Sequence, residues 1–334
     1  MNISLIGIGN VGKRVLEIIR DAQSGLRERS GESIKVISAS DSRHTVYSEN
    51  GMDVSRVLEA KSRGDIRKSG YRELVFDEIF SLKTEAIVDV ASATPDGIAG
   101  RDLYLKAFGA GKDIVTANKS PLALHWEQIM DECKQAGRRI RFESTVAGGV
   151  PLFNLRDFSI IPSEVLQFRG VVSSSVNIIL NDIINGRSFE SSVEYAIKQG
   201  IAETNYHDDT LGLDAARKTV ILANALFGTN LTLNDIQYEG VEGNMDKVSS
   251  LKGKGGLYRV VSSIRKEGSR TSVFSGIEEI GEKDPLRALG NESLGYTMRT
   301  DMNGEVLVVG LEDTPLETAS GVVNDIALLA KTRA

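Results

Sequence analysis

Gly7-Ile8-Gly9-Asn10-Val11-Gly12 stands between the short apolar run Ile3–Ile8 and a segment with Val11, Val15, Ile18 and Ile19 at helical spacing. A glycine pattern of this kind, placed between a strand and a helix, is a phosphate turn. The first glycine permits the tight bend, Gly9 lets the backbone come close to a pyrophosphate, and Gly12 lets the helix pack tightly on the sheet. The helix then offers its free N–H groups and partial positive charge to the phosphates. A glycine-rich turn without a ligand would share the spacing, so the surrounding pattern decides.

That pattern is repetitive. Ile34–Ala39, Ala86–Ala91 and Asp113–Thr116 read as further strands, and Ile140 and Phe142 mark a fifth. Between them Gly100–Gly109 and Pro121–Gln135 have helical character, with Pro121 suited to a first turn because its missing N–H has no partner there. Strands alternating with helices over the first ~145 residues imply a parallel sheet covered on both faces. The fold class is therefore α/β, beginning with a Rossmann-type dinucleotide-binding domain.

Downstream the texture changes to α+β. Ser173–Asn185 reads as a serine-capped helix, Ser188–Gln199 as another closed by Gly200, and Leu213–Phe227 as a third with Gly228 beyond it. The Lys252–Gly256 stretch is a loop, alternation from Thr271 to Gly310 predicts strands, and Thr318–Thr332 predicts a last helix.

The bulk numbers exclude several classes. The chain has 334 residues, enough for two domains at roughly 100–200 residues each. A net charge of −6 gives no broad basic surface for nucleic acid or an anionic membrane. Cys133 is the only cysteine, so no internal disulfide forms, which fits a cytoplasmic location. The apolar start is too short for a signal peptide or a membrane span. His44, His125 and His207 are scattered and read as loop or surface residues.

The end of the second strand bears on the choice of dinucleotide. Asp41 suits a ribose 2′-hydroxyl and Arg43 a 2′-phosphate; the balance favours NADP, with NAD also used. Farther along, Asp214 and Lys218 are four residues apart, so a helix sets them on one face. Such a pair can orient a small polar substrate and move a proton, although the spacing alone also fits a solvated ion pair worth only ~0.3–0.5 kcal/mol.

Three further segments carry a family resemblance: Thr116-Ala117-Asn118-Lys119; the run from Phe142 to Pro151 with Glu143, Thr145, Val146, Gly149 and Pro151; and Ala202-Glu203 followed by Asp208 to Lys218. In order and spacing they resemble the TANK, E-x-T-V-x-x-G-x-P and A-E…D-x-x-G-x-D-x-x-x-K segments of homoserine dehydrogenases. Gly170–Asn177 resembles another family stretch, with serine where glycine is usual. The resemblance covers nearly the whole chain. It departs at Thr204–His207, where the family commonly has a Pro-Asp-Pro type loop, and at Leu311–Pro315, where a glycine-rich turn is usual.

The resemblance implies an NAD(P)-dependent reduction of L-aspartate 4-semialdehyde to L-homoserine, as in threonine, methionine and isoleucine biosynthesis. It implies residues 1–145 as the NAD(P)-binding domain, 146–310 as the substrate and dimerisation domain, and 311–334 as a C-terminal helix returning to the first. Glu203 would hold the substrate amino group, and Asp214 would sit by the C4 oxygen with Lys218, helped by Asp209. Lys119 would stand at the nicotinamide end, with Ala91 and Ser92 in the cofactor set. Glu143, Val146, Gly148 and Val150 would ligate a monovalent cation, Na or K. A homodimer is implied, without a C-terminal regulatory domain or fused kinase.

Two other readings stay open: a dehydrogenase for another small amino-acid semialdehyde, and a non-catalytic dinucleotide sensor. In the enzyme reading Lys218 and Lys119 are catalytic. Burial beside Lys119 should lower the Lys218 amine from ~10.4 toward neutrality.

Overall fold

Ile3 and Leu5 have no exposed surface and Ile6 very little, which is what a central strand covered on both faces requires. In the computed structural model, which describes residues 1–202 and 206–332, this segment is β1 (Asn2–Ile6). The chain divides into two units, Met1–Gly149 with Thr314–Ala334, and Val150–Asp313. Sequence had set the divisions at 145/146 and 310/311.

The first unit contains a seven-stranded sheet. Its strands are β1, β2 (Lys35–Ser40), β3 (Thr45–Tyr47), β4 (Arg72–Leu74), β5 (Ala86–Asp89), β6 (Asp113–Thr116) and β7 (Ile140–Arg141), in the order β4-β3-β2-β1-β5-β6-β7. β2, β1, β5, β6 and β7 run parallel. The two short strands on one edge pair antiparallel, so the sheet is mixed rather than wholly parallel as expected from the alternation. Ser40, Ile6, Asp89 and Thr116 are register neighbours, which places the ends of four strands in one row. Strand order reverses between β1 and β5, the position where open α/β sheets take up ligands.

Helices α1 (Asn10–Asp21), α2 (Gln23–Ser30), α3 (Val54–Ser62), α4 (Ile98–Gly109) and α5 (Lys119–Gln135) accompany these strands. α1 buries Gly12, Val15, Leu16 and Ile19, a stripe at i, i+3, i+4 and i+7. The C-terminal helix Pro315–Lys331 adds Val322, Val323, Ile326 and Leu329 to the same core. Each fully buried aliphatic chain of this kind stabilises the unit by roughly 1.5–3 kcal/mol. That helix starts on a capping box, the Thr314 hydroxyl accepting from the Leu316 N–H while Glu317 accepts from the Thr314 N–H, with Pro315 in its first turn.

The second unit is a six-stranded sheet with helices packed against it. Its strands are β8 (Val165–Val171), β9 (Gln237–Tyr238), β10 (Leu257–Glu267), β11 (Arg270–Ile280), β12 (Leu294–Thr300) and β13 (Glu305–Gly310), ordered β13-β12-β8-β10-β11-β9. All pair antiparallel except β9 with β11. Its helices are α6 (Phe153–Phe158), α7 (Ser174–Ile184), α8 (Phe189–Lys198), α9 (His207–Thr210), α10 (Leu213–Phe227) and α11 (Met245–Leu251).

Two polar contacts fix helices on β10. Asn177 of α7 accepts from the Val260 N–H at 2.8 Å and donates to the Val260 carbonyl at 3.3 Å. Thr219 of α10 meets Ser262 through their hydroxyls at 2.6 Å. The cap expected from Ser173 is absent, since its hydroxyl makes no cap bond and lies 3.4 Å from that of Ser175. Ser188 does cap α8, accepting from the Ser191 N–H. Among the described residues no helix is long and apolar enough to cross a membrane.

Candidate functional site

In the first unit the expected cofactor residues gather where the parallel strands end. Gly7 to Gly12 connect β1 to α1, Asp41 and Arg43 follow β2, Ala91 and Ser92 follow β5, and Lys119 opens α5 after β6. Gly7 has φ +98°, and a Cβ there would meet the Ala91 nitrogen at 2.6 Å. A Cβ on Gly12 would lie 1.8 Å from the Gly7 carbonyl oxygen, so neither position admits a side chain. A Cβ on Gly9 would meet nothing within 4 Å. The glycine there serves approach from outside rather than packing within. No side chain caps the start of α1 and no acidic residue lies in its first turn. An uncapped helix start beside an open glycine fits a dinucleotide pyrophosphate.

Asp41 is more engaged than its sequence role suggested. One carboxylate oxygen accepts the N–H groups of Arg43 and His44, both at 2.9 Å, and the other takes the Lys61 ammonium at 2.6 Å. Its side chain is 2% exposed. These bonds hold its pKa below the usual carboxylate range even though burial, the largest single influence, pushes it up. Asp41 is thus committed to ordering its own turn, which weakens its case as a ribose acceptor. Arg43 is exposed and donates to the Gly64 carbonyl at 2.5 Å. Lys61 was not found by sequence reasoning, because twenty residues separate it from Asp41.

Behind Ala91 and Lys119 lies a buried polar network. Asp89 accepts from the Ala91 N–H at 3.1 Å, the Tyr104 hydroxyl at 2.8 Å and the Asn118 amide at 3.2 Å. Tyr104 also meets the Thr116 hydroxyl at 2.7 Å, and that hydroxyl accepts from the Asn118 N–H at 2.8 Å. Burial, only partly offset by these donors, raises the Asp89 pKa. Lys119 follows at once as the first residue of α5, half-buried.

The cation residues proposed by resemblance divide between the units. Glu143, Val146 and Gly148 follow β7 in the first, whereas Val150 is the first residue of the second. The C-terminal helix holds the start of this loop: Asp325 accepts from the Glu143 N–H at 2.9 Å, and Ser144 donates to the Thr318 carbonyl at 2.8 Å. Glu143 is buried. A buried carboxylate and loop carbonyls are hard oxygen donors of the kind a hard cation accepts.

The second unit concentrates charge. Lys218 of α10 pairs with Asp214 at 2.9 Å and donates to the Val172 carbonyl at 2.6 Å. The two side chains are 14% and 6% exposed, so this is not a solvated surface pair. Burial, the largest influence, pushes the Lys218 amine down, but Asp214 and then Asp313 and Asp209 more than reverse it. The amine lies above its ordinary value. The expected lowering toward neutrality is thereby overturned, because three carboxylates outweigh the loss of water.

Around this pair Asp209 accepts from the Ser175 hydroxyl at 2.8 Å, and Asp313 accepts from that of Ser174 at 2.8 Å. Ser174, which stands where the resemblance expects glycine, and its neighbour Ser175 therefore hold two of the carboxylates. Asp313 was missed, since it falls in the Leu311–Pro315 departure and no local pattern marks it. Arg217 pairs with Asp208 at 2.5 Å. Glu203 lies outside the described residues.

Comparison with known proteins fits this geometry. Residues 7–143 match the family model described as the homoserine dehydrogenase NAD-binding domain, and residues 151–327 match the homoserine dehydrogenase model. A homoserine dehydrogenase of Methanocaldococcus jannaschii is 30% identical, over 98% of this chain and 97% of its own. Among solved structures, a homoserine dehydrogenase from Thermoplasma acidophilum is 43% identical, with a TM-score of 0.87 and 99% of each chain covered. A hyperthermophilic archaeal homoserine dehydrogenase in complex with NADPH is 26% identical, with a TM-score of 0.84, covering 100% of this chain and 98% of its own. The chain belongs to the homoserine dehydrogenase family.

Proposed function

We propose that Lys218 and Lys119 carry the chemistry of the family's NAD(P)-dependent oxidoreductase reaction, the interconversion of L-aspartate 4-semialdehyde and L-homoserine. The observation that supports this most is the Lys218 ammonium, largely withdrawn from water and held between Asp214 and the Val172 carbonyl. A bound dinucleotide supplies the hydride that reaches the aldehyde carbon. As negative charge grows on the carbonyl oxygen, Lys218 offers a fixed cation and then a proton, leaving the hydroxyl of homoserine. Its raised pKa suits that direction, since the amine is protonated at neutral pH. In the reverse direction a neutral amine must take the proton, and the surrounding carboxylates oppose it.

Lys119 adds a second positive charge, at the nicotinamide end. As the first residue of α5 it sits at the positive end of a helix dipole, which disfavours a cation by roughly 0.3–1 kcal/mol. A cost of that size is tolerated where the charge has a use. Asp214 and Asp209 orient the substrate beside Lys218, with Glu203 for its ammonium group.

Gly7, Ile8, Gly9, Asn10, Val11, Gly12, Ala91 and Ser92 hold the dinucleotide in this reading, and NADP is favoured, with NAD also accepted. Asp41 is neutralised by Lys61, so little repulsion meets a 2′-phosphate, and exposed Arg43 can pair with one. Glu143, Val146, Gly148 and Val150 are the donors proposed for Na or K. A homodimer joined through the second unit's sheet completes the reading.

The test is direct. Purified chain should oxidise NADPH in the presence of L-aspartate 4-semialdehyde and the Lys218→Ala variant should do so far more slowly. Equal turnover of a different amino-acid semialdehyde would favour that substrate instead. NADPH binding without turnover of any aldehyde would reduce the chain to a nucleotide binder.

A further inference from the structure

Asp89 ends β5 and is 1% exposed, yet it belongs to no phosphate turn and to none of the sequence segments that carry the family resemblance. Two of its three side-chain bonds reach different loops, Ala91 after β5 and Asn118 after β6, and the third reaches Tyr104 of α4. Its backbone carbonyl also accepts from the Ala117 N–H at 3.0 Å. One residue therefore ties both crests that border the nicotinamide end.

The donors run in one direction. The Asn118 N–H is given to Thr116, the Thr116 hydroxyl to Tyr104, and the Tyr104 hydroxyl to Asp89. Tyr104 has one proton to give, so turning the Thr116–Tyr104 link round would leave the phenol oxygen and the Asp89 carboxylate as two acceptors facing each other. The Asn118 amide is fixed by the same carboxylate, because its Nδ2 is given to Asp89 while its Oδ1 has no partner among the described residues. A buried acceptor left open costs about 1–3 kcal/mol, which an unrestrained amide would relieve by turning. Asn118 is the N-cap residue just ahead of α5, and Lys119 is the helix's first residue.

We infer that Asp89 is a positioning residue for the reaction, acting with Tyr104 through Asn118 to hold Lys119 in place beside the Ala91–Ser92 crest. The inference rests on the reading of Lys119 as a residue of the chemistry. Asp89→Asn puts an amide donor where up to three donors now converge, so the network must break. A shift of about 1 Å in a catalytic group can cost ~10²-fold in rate.

The experiment is a double-mutant cycle: Asp89→Asn and Tyr104→Phe, each alone and each combined with Lys119→Ala, with kcat, KM and NADPH affinity measured. Asp89→Asn should lower kcat by about 10–100-fold, the range of such misplacement, and change NADPH affinity by less than about threefold. Tyr104→Phe, which keeps the buried ring and serves if Asp89→Asn does not fold, should lower kcat about fivefold. In the Lys119→Ala background neither change should matter further. Additive losses in both backgrounds, or an unchanged kcat in a folded single variant, would overturn the positioning role alone. Normal turnover in Lys119→Ala by itself would overturn the reading of Lys119, and this inference with it.

Discussion

Two buried aspartates divide the labour in this chain by opposite means. Asp89 in the first unit is surrounded by neutral donors, and its pKa rises because burial outweighs their bonds. Asp214 in the second unit faces an ammonium, and the effect falls on the partner, raising Lys218. Neutral donors fix position without fixing charge, whereas an ion pair fixes the protonation state. The contrast extends to the surroundings. In the proposed reading the dinucleotide meets backbone and missing side chains at Gly7, Gly9 and Gly12, and the substrate meets carboxylates around a lysine. The first should be sensitive to volume, the second to charge.

The largest test falls on the charged end. Lys218→Ala should reduce kcat by ~10²–10⁴, the range for loss of a general acid, when NADPH oxidation with aspartate semialdehyde is followed. A near-normal rate would remove Lys218 from the chemistry. Asp214→Asn sharpens the same point through stability. It leaves a buried ammonium short of its nearest counter-charge, a change that costs about 3–5 kcal/mol and is read as a lower denaturation midpoint. The sign with pH follows from the raised amine. A lysine whose folded pKa exceeds its unfolded value of ~10.4 stabilises the fold below that pH and loses the contribution as pH climbs through the folded value. Wild type should therefore show this loss only in strong base, and Asp214→Asn should not show it.

Volume is tested at the other end. Gly12→Ala forces a Cβ against the Gly7 carbonyl oxygen and should destabilise the first unit by about 1–3 kcal/mol, the ordinary cost of overpacking. Gly9→Ala meets open space, so it should melt like wild type yet bind NADPH more weakly. Equal melting losses in the two variants would break the distinction between packing and approach. The smallest effect is expected at Arg43. Arg43→Ala should raise the KM for NADPH about tenfold and leave that for NADH unchanged, as for one lost charge-assisted contact. An equal change for both cofactors would place Arg43 away from the 2′-phosphate.

The α/β class was legible because the information is local. The strand ahead of Gly7 and those at Ala86 and Asp113 are apolar runs, and the 213–227 helix carries its own stop in Gly228. β3 and β4 were missed because three residues are too few to display a period. β10 was missed for another reason. Residues 258–262 are all buried, so one stretch mixes serine, arginine and valine without the alternation of a half-covered strand. β8 hides its period behind Gln167 and Arg169, the latter paired with Glu278 and Asp284 across the sheet.

At the site, residues inside motifs were readable and those completed by topology were not. Asp89 and Tyr104 meet only because α4 lies against β5 and β6, and Asp313 reaches Ser174 across 139 positions of sequence. The direction of the Lys218 shift was misjudged for the same reason. Asp214 and Asp209 could be named from sequence, but how far they outweigh burial depends on geometry, and Asp313 joins them from a distant segment.

The pH dependence of kcat in the two directions probes the protonation state of Lys218 most directly, with Lys218→Ala as the control. For aldehyde reduction, the protonated amine predicts no base-side decline belonging to Lys218 below about pH 10, while homoserine oxidation quickens with pH across that range. A decline in reduction centred near pH 7 that disappears in Lys218→Ala would contradict it.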